Sequence, residues 1–140
     1  MLNTKNIDGL VEEYRKCAEI CLGTDYGDEL AVKKHNKAVD NMYSIVENIA
    51  SQGSTAIDRL SVLLDEENLN TWIAFQLLDR IKVTPEIEKK CLSIIQNQAS
   101  GEGPNALGTK YWLKEWKRKK RKDKFRFLQS LFRRCFTRSR

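Results

Sequence analysis

Apolar residues recur along this chain at steps of three and four, and no useful stretch alternates with period two, so helices and no sheet are expected. Ile7, Leu10, Val11, Tyr14, Cys17, Ala18 and Cys21 share one helical face and predict a first helix over about 7–22. Gly23 is placed to end it, and Gly23-Thr24-Asp25-Tyr26-Gly27 reads as a turn. A second stripe, Leu30, Ala31, Ala38, Met42, Ile45, Val46 and Ile49, predicts a helix over roughly 28–52, stopped by Gly53 as a left-handed cap. Ser54 or Thr55 then opens a third helix that buries Ala56, Ile57, Leu60, Leu63 and Leu64. After the polar break Asp65-Glu66-Glu67-Asn68, a fourth helix over about 69–81 turns Leu69, Trp72, Ile73, Leu77 and Leu78 inward. Thr84-Pro85-Glu86 is the clearest start signal in the chain. A threonine cap, proline at the first helical position and an acidic first turn favour a fifth helix there. Its inner face reads Ile87, Cys91, Leu92, Ile94 and Ile95. A sixth, from Pro104 or Asn105, carries Ala106, Leu107, Trp112, Leu113 and Trp116 and runs into a basic segment. Beyond it, Phe125, Leu128, Phe132, Cys135 and Phe136 predict a seventh, amphipathic helix with arginines outside its apolar face.

Six helices with short connections imply antiparallel neighbours, paired as three hairpins around one core. A chain of 140 residues can bury roughly 70% of the surface exposed when unfolded, so neither metal nor disulfide is needed to stabilise it. No run of about 18 apolar residues is present, so no membrane span is expected. The first residues, Met1-Leu2-Asn3-Thr4-Lys5, lack the apolar stretch of a secretory signal, and a cytoplasmic location is expected. Cys17, Cys21, Cys91 and Cys135 show no framework spacing and read as reduced, mostly buried thiols. Cys17 and Cys21 lie one turn apart, but no second pair stands at ligand spacing, so no metal or cofactor is expected.

The net charge of +6 conceals a division. Through Thr109 there are 11 Lys and Arg against 17 Asp and Glu; from Lys110 onward there are 14 against 2. An acidic helical domain, 1–116, thus carries a basic extension, 117–140, and such asymmetry bears on partners.

The middle of the chain also resembles a known type of repeat. Leu60, Leu63, Leu64 and Asp65, then a turn, then Trp72-Ile73-Ala74 with Leu77-Leu78, follow the pattern of a HEAT-like repeat. Pro85, Leu92, Ile95, Ala106 and the final Leu113-Lys114-Glu115-Trp116 continue it. The stretch from about 34 to 117 resembles an uncharacterised family of small bacterial HEAT-like helical proteins found in toxin–immunity neighbourhoods. The resemblance implies an all-α, HEAT-like array of stacked helical hairpins and an immunity-type role. Asn70 stands where such repeats commonly carry the arginine that partners the preceding aspartate, and the basic tail lies outside the resemblance.

Chemistry is sparse in the pattern. The single histidine, His35, sits among lysines with no nucleophile near it in sequence, and reads as an exposed or satisfied helical residue rather than a base. No catalytic residues are expected and no small-molecule substrate. Two acidic groups are candidate protein-binding residues: Asp58, Asp65, Glu66 and Glu67 at one hairpin end, and Asp25, Asp28 and Glu29 at a helix start. Helix-dipole pairing and solubility account for them; so does a surface complementary to a basic partner such as a toxin nuclease. In the tail, Trp112 and Trp116 precede Lys117, Arg118, Lys119, Lys120, Arg121, Lys122, Lys124 and Arg126, a set suited to phosphate contacts and base stacking. An anionic membrane surface, the acidic body itself, and a plain solvated extension are the other readings. The first expectation is a non-enzymatic protein that neutralises a toxin partner; the alternative is a nucleic-acid-binding protein acting through the tail.

Overall fold

The computed structural model describes the backbone of residues 4–138 and the side chains of residues 7–124, 126 and 128. Among the described residues the regular structure is helical and there is no strand. The elements are α1 (Thr4–Leu22), α2 (Glu29–Ser51), α3 (Ser54–Ser61), a 3-10 turn (Val62–Asp65), α4 (Asn70–Arg80), α5 (Pro85–Ala99) and α6 (Pro104–Arg138). They form two compact units, Met1–Ile94 and Ile95–Arg140, with α5 passing from the first into the second. No described helix is long and apolar enough to cross a membrane.

In the first unit α2 is the central element: α1, α3 and α4 all pack against it. Its buried face is Ala38, Met42, Ile45, Val46 and Ile49, the spacing expected of one helical stripe. The facing residues of α1 are Ile7, Val11, Tyr14, Cys17, Ala18 and Cys21, all buried. Each large aliphatic side chain removed from water here contributes roughly 1.5–3 kcal/mol. Local chemistry sets the ends of these helices. Asp28 caps α2 by accepting the Leu30 amide at 3.1 Å, and Gly53 takes φ +111, a conformation that favours glycine. Thr84 accepts the Ile87 amide at 3.4 Å, and Pro85 opens α5 as its start signal predicts.

Four expectations are corrected. The third helix does not continue to Leu64: α3 ends at Ser61, and a 3-10 turn carries Leu63 and Leu64. Leucines at 60 and 63 lie on the same side in either geometry, so their spacing does not distinguish the two. The Ser61 hydroxyl bonds the Asp58 carbonyl at 2.6 Å, a local alternative that competes with helix continuation. Leu30, placed in the buried stripe of the second helix, is 69% exposed, because it lies in the first turn and precedes the buried span that begins at Ala38. Leu107, expected on the sixth helix's apolar face, is 56% exposed. Finally, no seventh helix exists as a separate element: α6 runs unbroken from Pro104 to Arg138. The segment between Trp116 and Phe125 contains neither glycine nor proline and is rich in lysine and arginine, good helix formers. Of the apolar seam expected of Phe125, Leu128, Phe132, Cys135 and Phe136, Leu128 is exposed, and the other four lie outside the described side chains.

In the second unit, Ile95 and Ala99 of α5 and Ala106, Thr109 and Leu113 of α6 are buried. Gly103, at φ +97, turns the chain into α6, whose Leu107 amide bonds the Gly103 carbonyl at 3.1 Å. The Thr109 hydroxyl is satisfied by the Asn105 carbonyl at 2.8 Å, which lets a polar residue sit in a buried position.

Candidate functional site

The first unit opens a recess of about 440 Å³ between the C-terminal half of α1 and the turn that precedes α4. Arg15, Ala18, Glu19 and Leu22 line it from α1; Glu66, Glu67, Asn68 and Leu69 line it from the turn. Positions 15, 19 and 22 recur at steps of three and four, so α1 presents them as one flank beside its buried face, to which Ala18 belongs. The turn is held by its own backbone: the Asn70 and Leu69 amides both reach the Glu66 carbonyl, at 2.8 and 3.2 Å.

Arg15 joins the two walls. Its Nε donates to both Glu66 carboxylate oxygens at 3.1 and 3.2 Å, and its Nη2 donates to Oε2 at 2.9 Å. Glu12, one turn earlier, takes Nη1. The Glu66 hydrogen bonds are the main cause holding the Arg15 pKa above its ordinary value. The recess therefore contains one cation and three carboxylates, and the cation is already engaged. Glu19 and Glu67 are exposed and carry no ion pair among the described residues. Ala18, Leu22 and Leu69 supply apolar wall between them. Carboxylates and apolar side chains lining one recess suit a lysine or arginine side chain, whose stem is apolar and whose head is charged.

The candidate acidic residues thus separate. Glu66 and Glu67 enter the recess. Asp65 instead pairs with Lys90 of α5 at 2.6 Å. Asp58 is exposed on α3, outside the recess lining. Asp25 and Asp28 act locally: Asp25 accepts the Gly27 amide at 2.9 Å, and Asp28 caps α2 beside Glu29 in its first turn. Arg15, Glu19 and Leu22 are missed by a reading of charge clusters. Their signal is the shared flank of α1, visible in sequence only once the opposite flank is known to be core.

A second polar cluster fastens the α1–α2 loop. The Thr24 hydroxyl donates to the Ile20 carbonyl at 3.0 Å, which leaves its oxygen to accept from His35 Nδ1 at 3.0 Å. The His35 ring lies 5.7 Å from Tyr26 and 6.0 Å, edge on, from Trp72. His35 is a satisfied, half-buried helical residue. Among the described residues no three His, Cys, Asp or Glu side chains converge as a metal-holding group.

The three described thiols, Cys17, Cys21 and Cys91, are buried. Cys91 is fully buried, and burial pushes its pKa up to about 12; burial likewise raises those of Cys17 and Cys21. Reactivity belongs to the thiolate, so at pH 8 these three cysteines are expected to resist iodoacetamide in the native protein and react fully in denaturant. Peptide mass spectrometry reads the modification site by site, and rapid native labelling of Cys91 would contradict the burial.

In the second unit, Trp112 and Trp116 are half-buried on α6 and stack on each other, ring centroids 6.2 Å apart and planes 14° from parallel. Lys120 lies over the Trp116 ring at 4.8 Å. From Lys117 to Lys124 every side chain is exposed, as is Arg126. Arg118 pairs with Glu115 at 2.9 Å.

The fold and recess define an all-α protein with an acidic, partly apolar surface recess and a basic stretch within α6. No protein-family model, curated protein or solved structure significantly matches the chain.

Proposed function

We propose that this is a non-enzymatic binding protein whose α1–turn recess receives a basic side chain of a protein partner, and that the partner is a toxin neutralised by occlusion, as in immunity-type proteins. The observation that carries the reading is the pair Glu19 and Glu67, which carry no ion pair among the described residues, on facing walls of one recess with Leu22 and Leu69 in its lining. Complementary charge of this kind chiefly accelerates encounter and selects partners. The immunity-type assignment rests on the HEAT-like pattern of the middle of the chain and on the acidic character of residues 1–109. A HEAT-like stacking of the helices and a cytoplasmic, bacterial setting belong to the same proposal.

The test is association with the product of the neighbouring reading frame. Changing Glu19 and Glu67 together to lysine inverts the rim without touching the Arg15–Glu66 or Lys90–Asp65 contacts. Association is expected to slow about tenfold or more in low salt, with the difference shrinking as salt screens it. If the neighbour is toxic to the host, the double variant should also fail to restore growth. Unchanged association kinetics would remove the recess from the reading.

A further inference from the structure

We propose that the basic stretch of α6, Lys117–Arg126, is a binding site for double-stranded DNA that enters the major groove as a helix. The site is separate from the recess and does not depend on what the recess binds.

The distribution of charge around the helix carries the proposal. At 3.6 residues per turn, Lys117, Arg121 and Lys124 fall within about 60° of one another on one face. Lys119, Lys122 and Arg126 fall within about 60° of one another on the opposite face. All six side chains are exposed, and Asp123 is the one acid in the stretch. Arg118 and Lys120, also exposed, lie between these faces, so cations ring the helix, and such a helix fits a target that surrounds it. A membrane surface fits less well: it meets one face, and interfacial helices line that face with apolar residues, whereas Phe125 is the one apolar residue of Lys117–Arg126. The major groove of B-form DNA, about 12 Å wide, admits a helix and places phosphates along both of its walls.

Two other nucleic-acid targets fit less well. Single strands are held by aromatic faces on which bases stack, but Trp116 is stacked with Trp112 and approached by Lys120. Double-stranded RNA has a deep, narrow major groove, which leaves less room for a helix than the wide groove of B-form DNA. Lys117–Arg126 itself contains no asparagine or glutamine suited to adenine, so binding should be driven chiefly by phosphates.

The experiment uses the full chain and a labelled 20-base-pair duplex, with duplex RNA of the same sequence, a poly(dT) single strand and phosphatidylserine-containing vesicles as competing probes. Two triple variants follow, K117Q/R121Q/K124Q and K119Q/K122Q/R126Q; glutamine preserves helix formation and circular dichroism verifies it. Duplex DNA is expected to bind most tightly. About six phosphate contacts would give a slope of log affinity against log salt near −5. Each triple variant should flatten that slope by about 2.7 and weaken binding about a hundredfold at 0.1 M salt. On a flat surface, removing one face leaves the other free to rotate into contact, so single-face variants would bind nearly as well as the parent. Affinity within about twofold of the parent for either variant overturns the proposal. So does tighter binding to vesicles, poly(dT) or duplex RNA, or no binding to duplex DNA at 0.05 M salt. The salt slope of the unmodified protein tests the contact number without any variant. None of these outcomes bears on the effect of reversing Glu19 and Glu67.

Discussion

Truncating Tyr14 to alanine is expected to lower the unfolding free energy by about 4 kcal/mol, and removing its hydroxyl alone by about 2 kcal/mol. Tyr14 is fully buried on α1, and its hydroxyl donates to Gln76 Oε1 of α4 at 2.6 Å. Gln76 is itself buried, and no described group accepts from its Nε2. Tyr14→Phe would therefore leave both ends of a buried amide without a partner, and the cost of the phenylalanine variant lies in that orphaned amide more than in the lost bond. Gln76→Met, placed in the Tyr14→Phe background, removes the orphan and should recover most of the loss. Urea denaturation of the two single variants and the double variant completes the cycle. Additive losses would show that the hydroxyl and the amide do not depend on each other.

The second large effect is a loss of stability in alkali. Cys91 ionises at about 12 in the folded protein, because burial disfavours the thiolate. In the unfolded chain a thiol ionises at about 8.5. A raised pKa means that the folded state holds its proton more tightly. The stabilisation is fully present below the unfolded value and is lost as pH rises from roughly 8.5 to 12. The unfolded chain loses the proton first, and each unit of separation weakens folding by about 1.4 kcal/mol. About 2–3 kcal/mol should therefore be lost between pH 7.5 and 10.5. Tyr14, whose pKa burial also raises, adds to the loss above pH 10, and Cys17 and Cys21 act in the same direction. Urea midpoints at pH 7.5, 9 and 10.5 should fall in order, and Cys91→Ala should flatten the curve in proportion to the Cys91 share. A midpoint independent of pH over that range would mean that the thiol and phenol are solvated.

Much of the fold is legible in the chain because helical burial is a local, periodic property. The inner faces of α1 and α2 and the start of α5 at Pro85 follow from spacing and capping chemistry that involve neighbours within one turn. Leu30 shows the limit. Its spacing matches the stripe of α2, but burial also requires something to lie opposite, and spacing carries no information about that. Gln76 shows the converse. A polar residue has no place in an apolar stripe, yet it is buried because Tyr14, 62 residues earlier, supplies a donor.

The acidic turn behaves in the same way. Composition identifies Asp65, Glu66 and Glu67 as a cluster and cannot separate them, since adjacent residues in a turn leave the chain in different directions. Packing then directs Asp65 to Lys90, Glu66 to Arg15 and Glu67 to the recess.

On its own, the sequence determined that the protein is built of helices, which faces of α1 and α2 are buried, and that the charge is divided between an acidic body and a basic end. Those properties depend on residues within a few positions of one another. Only the tertiary structure decided that α2 is the central helix of the first unit and that Arg15 clamps Glu66. It also decided that Glu19 and Glu67 face one recess. Arg15 and Glu66 are 51 residues apart, and their meeting depends on where separate helices come to rest, which the period of any single helix does not contain.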